Sequence, residues 1–226
     1  MVARCTPIAS WMYFSHLDGL TDVAGVYTLA WRLLDVADDP WTARITRFKF
    51  GPNQEAAIRG ATQTLETALP PLLEARGWRP AETAITAALS STDTRLVPTK
   101  PLPRTASAVA QAQGMTCLSN LLTKQAHQRL HSLNSAAERA AEVEKAQYKS
   151  AAVPAGTRRV LVLDDLATRG DTLSAIAGAI QAATPGIEVV GIALGKNERK
   201  AFAADSGYNI SNDTVPAAWA TAWDQA

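Results

Sequence analysis

Several whole classes of protein are excluded by what this chain has little of. Its charges nearly cancel, with 22 Lys and Arg against 21 Asp and Glu, for a formal net charge of +1. Nothing in that balance calls for nucleic acid or an anionic membrane surface as partner. The two cysteines, Cys5 and Cys117, stand far apart and form no CxxC. They read as reduced thiols in a cytoplasmic protein, not as a disulfide framework. The three histidines, His16, His127 and His131, include no HExxH. His127 and His131 are four apart, but no Cys or carboxylate completes a ligand set, so they read as solvated polar residues. There is no basic segment leading into an apolar signal core, no apolar run of membrane-spanning length and no internal repeat.

What is present is enough apolar material for one full-sized domain or a core with an appended lobe: 226 residues, 47% hydrophobic. The apolar spacing from Leu20 to Leu34 predicts a helix with a wide buried face, broken before Pro40. "ARITRFKF", residues 43–50, alternates and predicts a short strand. Glu55 to Arg76 predicts a long helix, with a kink or break at Pro70-Pro71. "TAITAALSS" is a small-residue strand. The Pro-rich "RLVPTKPLPR" after it is barred from a central strand. Ser107 to Gln113 predicts a helix with Gly114 as its C-cap, and "MTCLSNLL" another strand. Lys124 to Lys149 is polar and Ala/Glu/Arg-rich, either a solvated helix or a mobile excursion. A strand over 159–163, a helix over 172–183 and the strand "EVVGIAL" follow. Trp219 and Trp223, four apart in the tail, make a helix face packed on the domain or a homodimer contact. Strands alternating with helices predict an α/β fold, a parallel sheet flanked by helices.

One stretch carries chemistry: "RRVLVLDDLATRGDTLSAIAGAI", Arg158 to Ile180. A buried strand ends in two adjacent acids, Asp164 and Asp165, and a short loop leads into a helix. The unpaired N–H groups and positive dipole end of such a helix attract phosphate. Gly170 allows close backbone approach, while Thr168 and Thr172 add hydroxyl donors. The carboxylates do not bind phosphate, but they accept hydrogen bonds from vicinal hydroxyls. A sugar phosphate satisfies the whole arrangement. Asp171 sets a negative charge beside that phosphate, with Arg169 placed to offset it. Two other readings compete. Aspartates that merely cap the helix would need one acid, not two followed by Thr-x-Gly-x-Thr. A response-regulator receiver would need a longer remainder of chain than follows Asp165.

"VLVLDDLATRGDT" resembles the phosphoribosyl diphosphate (PRPP) motif of the type I phosphoribosyltransferases. The order of "ITRFKF", the 55–76 helix, "LVPTKPLPR" and "LNSAAER" is similar to that of the ComF-like branch over residues 44–195. The resemblance implies a type I phosphoribosyltransferase-like core over 44–226, with residues 1–43 as an N-terminal helical or hood segment, either alone or together with the 124–149 excursion. It implies transfer of a phosphoribosyl group from PRPP to a nitrogenous base or related small-molecule acceptor. Asp164 and Asp165 would be the catalytic and metal-binding pair, holding Mg²⁺ as cofactor. The PRPP-binding set would be Asp164, Asp165, Ala167, Thr168, Arg169, Gly170, Asp171 and Thr172. Lys100 and Arg104 would face pyrophosphate, and Glu138 and Arg139 are either substrate ligands or a solvated helix face. Family members acting on 6-oxopurines carry an acid where Thr168 stands, so turnover of hypoxanthine or guanine is not expected. The rival reading is a non-catalytic PRPP- or nucleotide-binding protein, regulatory or accessory to DNA uptake.

Overall fold

The computed structural model describes residues 4–36, 38–51, 54–128, 135–204 and 212–226. Its first elements are strands. β1 (Thr6–Ile8) and β2 (Trp11–Phe14) form an antiparallel hairpin, and β3 (Val26–Leu33) joins β2 through Tyr13 opposite Tyr27. The helix expected over 20–34 is therefore corrected to a strand. Seven of the eight residues of β3 are buried. A strand covered on both faces loses its alternation, and its apolar run then fits a helical template as well as a strand.

The opposite correction applies to residues 43–50, which lie in a helix, α1 (Pro40–Phe50). Asp39 caps it, accepting from the Thr42 amide at 2.6 Å, and Pro40 pre-sets the first turn. Trp41, Ile45 and Phe48 then bury one face. α2 (Gln54–Ala75) runs through Pro70-Pro71 without the expected break. Pro70 takes the usual donor away from the Glu66 carbonyl, and the Gln113 side-chain amide replaces it at 3.1 Å.

β4 (Thr83–Ala87) leads to α3 (Pro101–Gln113), which starts earlier than expected and stops at Gly114, as expected, with φ +66°. The single strand expected in "MTCLSNLL" is two short ones, β5 (Thr116–Cys117) and β6 (Leu122–Thr123). β6 pairs with β7 (Lys149–Ser150) in a separate two-stranded sheet. Between them lies α4 (Ala136–Lys145), opened by a capping box of Ser135 and Glu138. His131 and the Arg139 side chain lie outside the described residues. The chain then forms β8 (Arg159–Ala167), α5 (Asp171–Ala183), β9 (Glu188–Glu198), α6 (Lys200–Ala204) and α7 (Ala217–Asp224).

The main sheet has seven strands in the order β1-β2-β3-β9-β8-β4-β5. The five from β3 to β5 are parallel, and only the N-terminal hairpin is antiparallel. Residues 6–33 thus supply three strands of the same sheet that carries the acidic pair. The helix after β4 crosses outward to β5, whereas the helix after β8 crosses the other way to β9. Right-handed crossovers in opposite directions put α3 and α5 on opposite faces. The carboxyl ends of β4 and β8 therefore flank a switch point, where open α/β sheets leave a crevice for ligands. The tail tryptophans pack on the domain: Trp219 meets Trp11 at 5.7 Å between ring centroids, and Trp223 meets Trp41 at 6.0 Å. Gly60 lets α7 approach α2, since a Cβ there would come within 2.7 Å of Trp223.

Candidate functional site

β8 is longer than expected, so Asp164, Asp165 and Ala167 belong to the strand itself. Both aspartates are half-buried at its carboxyl end, and Ala167 is buried. The Asp165 amide donates to Asp164 Oδ1 at 2.8 Å. Lys49, from the last turn of α1, donates to Asp165 Oδ1 at 2.7 Å. Among the described residues Asp164 has no cation in contact with it. Burial, together with the adjacent Asp165, pushes its carboxyl up to about 7, against a smaller opposing effect of Lys49.

Tyr148 lies close enough to Asp164 to feel its charge. Its hydroxyl is enclosed and has no hydrogen-bond partner among the described residues. Lys124 stands 5.9 Å over the Tyr148 ring. It is buried, donates to the carbonyls of Ser91 and Gln125 at 2.8 and 3.3 Å, and has its pKa lowered to about 8 by burial. Lys124 and Tyr148 flank the paired residues Thr123 and Lys149. The small β6–β7 sheet therefore delivers both to one place.

Lys100 caps the start of α3 and holds both oxygens of Asp93 at 2.6 and 2.7 Å. Arg104 lies in the first turns of α3 and forks onto Glu55 at 2.5 and 2.9 Å. Each is thus paired within the protein. A cleft of about 490 Å³ runs beside the ends of β4 and β5, lined by Thr86, Leu96, Arg104, Ser107, Gln111 and Cys117 among others. Glu138 is engaged in the α4 capping box.

The loop expected to cradle phosphate does lead into α5, and Gly170 takes φ +91° as its N-cap. Arg169 lies between two acids, with Asp171 at 3.4 Å and Asp18 at 3.5 Å. The offsetting of Asp171 by Arg169 is present. Residues 18–21 also lie against this turn. The Gly19 amide donates to the Arg169 carbonyl at 2.9 Å, Ser174 donates to the Gly19 carbonyl at 2.7 Å, and a Cβ on Gly170 would meet Leu20 at 2.6 Å. Thr168 is exposed and accepts from Asn197 at 3.2 Å, while Thr172 is half-buried.

The structure thus gathers Asp164, Asp165 and the 168–172 loop around one strand end. Sequence reasoning missed Lys49, Arg32, Lys124, Tyr148 and Asn197 there. Lys49 was legible through the Asp39-Pro40 helix start, which puts it on the last turn of a helix. Tyr148 was the one aromatic in a polar segment. Lys124 carried no such signal. No known family model and no curated protein matches the chain.

Proposed function

We propose that this chain binds PRPP at the carboxyl ends of β8 and β4 and transfers its phosphoribosyl group to a nitrogen of a small acceptor. One observation carries the reading. Two adjacent carboxylates end a central parallel strand at a switch point, directly before a glycine-led helix N-terminus. In this reading Asp164 and Asp165 accept from the vicinal ribose hydroxyls. Thr168, Gly170, Asp171 and Thr172 offer the 5′-phosphate backbone amides and hydroxyls, and Arg169 adds charge. Lys124, which feels the charge of Asp93, and Lys100, which holds Asp93, would face the departing diphosphate. The chain's contribution is positioning and fixed charge around a centre that turns cationic as the diphosphate leaves.

The residues fit Mg²⁺ carried in with the substrate. Among the described residues no group of three or more His, Cys, Asp or Glu could hold a metal by itself. Mg²⁺ commonly needs only one or two carboxylates beside substrate oxygens and water. Asp164 and Asp165 would hold it, and when bound it neutralises the diphosphate. No helix of the described residues is long and apolar enough to cross a membrane. Both cysteines are free and Cys5 is buried, which accords with a reducing, cytoplasmic setting.

Calorimetry with PRPP and Mg²⁺ tests the site. Asp164→Asn with Asp165→Asn should weaken PRPP binding more than tenfold, about 1.4 kcal/mol. Unchanged affinity in the folded double variant removes the assignment. The second reading, a PRPP-binding protein without transferase activity, is favoured by the internal pairing of Lys100 and Arg104 and by residues 18–21 lying on the loop. Pyrophosphate release with a panel of acceptors separates the two. Binding without release supports the second.

A further inference from the structure

A hydrogen-bonded chain crosses the carboxyl ends of three strands beside the aspartates. Arg32, at the end of β3, donates through Nε to Thr46 at 3.1 Å and through Nη1 to Asn197 at 3.0 Å. Asn197, at the end of β9, donates to Thr168 at 3.2 Å. Both partners of Arg32 are neutral. Among the described residues no carboxylate lies within ion-pair distance of its guanidinium, and its Nη2 makes no hydrogen bond. Asp165 acts on it only at longer range, and Asp165 is already engaged by Lys49. Lys49 is thus paired, and Arg32 is left without an ion-pair partner among the described residues, its half-buried fork matching a carboxylate.

Phe50 stands next to it. It is 59% exposed even though Arg32 Cζ and Lys49 Nζ both stand over its ring, 5.7 and 5.8 Å from the centroid. A scattered exposed apolar residue needs no explanation. This one is held beside two cations and, through Lys49, beside the acidic pair. A flat apolar face next to an uncancelled guanidinium is what a planar ring bearing an oxyanion fits.

We infer that Arg32 and Phe50 form a binding site for an aromatic or heteroaromatic carboxylate, the ring on Phe50 and the carboxylate on the open edge of Arg32. Lys49 Nζ bridges Asp165 and the Phe50 ring, so the bound ring lies beside the carboxylates assigned to the ribose. Its role as phosphoribosyl acceptor rests on the transferase reading; its binding does not.

The test titrates the full chain, without PRPP, with pyridine-3-carboxylate and with the neutral pyridine-3-carboxamide, read by calorimetry or ligand-observed NMR. The acid should bind at least tenfold tighter than the amide. Arg32→Gln should bring the acid down to the amide's level. Phe50→Ala should weaken both probes severalfold, and Phe50→Trp should restore them. Equal affinity of acid and amide for the unaltered chain overturns the inference, and that comparison needs no variant to fold. Acid binding unchanged in Phe50→Ala overturns it as well. The Asp164→Asn, Asp165→Asn double variant should keep the acid while losing PRPP. If PRPP never binds and the acid does, the transferase reading falls and this site stands.

Discussion

Asp164 is destabilised as an anion. Its folded pKa of about 7 lies above the value of about 3.9 for an unperturbed aspartate. The stability it contributes is therefore fully present below about pH 4 and is lost as pH rises through about 7. Wild type should lose stability relative to Asp164→Asn between pH 4 and pH 8, by up to about 4 kcal/mol. Urea denaturation of both proteins across that range checks the sign, and parallel curves would contradict it. Tyr148 poses the complementary case. An enclosed hydroxyl without a partner among the described residues costs stability, and on the PRPP reading the ligand would supply that partner. Tyr148→Phe should melt at the same temperature as wild type or higher, yet bind PRPP severalfold more weakly. Thermal melts with and without PRPP read both effects, and an unaltered ligand-induced shift would assign the hydroxyl no such role.

At the scale of elements, one buried side chain ties β3 to the start of α1. Asn212 accepts from the Trp31 amide at 2.7 Å, donates to the Trp31 carbonyl at 3.0 Å and also donates to the Asp39 cap at 3.0 Å. Asn212 and Asp39 are both buried. Asn212→Ala leaves several enclosed polar groups without partners and should cost about 2–3 kcal/mol. A denaturation midpoint moved by much less would show that water replaces the amide.

Elements whose signals are local were legible in advance. β8, α5 and β9 have uniform apolar runs and a glycine in the right place, and Gly114 ended α3 as read. β3 and α1 were exchanged in type because each is decided by what packs on it. β3 is enclosed by β2, β9 and the helices, so its pattern carries no period. Residues 43–50 alternate by chance, and the decisive signal was the Asp39-Pro40 pair before them. Pro70-Pro71 deceived because the side chain that replaces the lost donor, Gln113, comes from another helix. The acidic pair and its loop were legible because they sit in one short stretch. Lys49, Arg32 and Tyr148 reach the same place from three other segments, and no local pattern brings those together.

For the whole molecule, the sheet is a mostly parallel α/β layer with helices on both faces and a topological switch point between β4 and β8. The residues of the candidate site come from β3, α1, the β4 loop, the β6–β7 pair, β8 and β9. That spread is what a site at strand ends allows.

The strand order also dictates a sequence of events in synthesis. β3 pairs in parallel with β9, Val26 opposite Gly191 and Leu33 opposite Glu198. An early segment thus waits for a late one before its inner edge is satisfied. Until β9 has left the ribosome, β3 presents an unpaired edge bearing Tyr27, Leu29 and Trp31, all buried in the finished fold. Such long-range parallel pairing is slow and leaves intermediates that associate. Refolding from urea should therefore show concentration-dependent losses, and a chain ended at residue 187 should aggregate where the full chain does not. Light scattering during refolding measures both, and a soluble, cooperatively folded 1–187 fragment would show that β3 finds another cover.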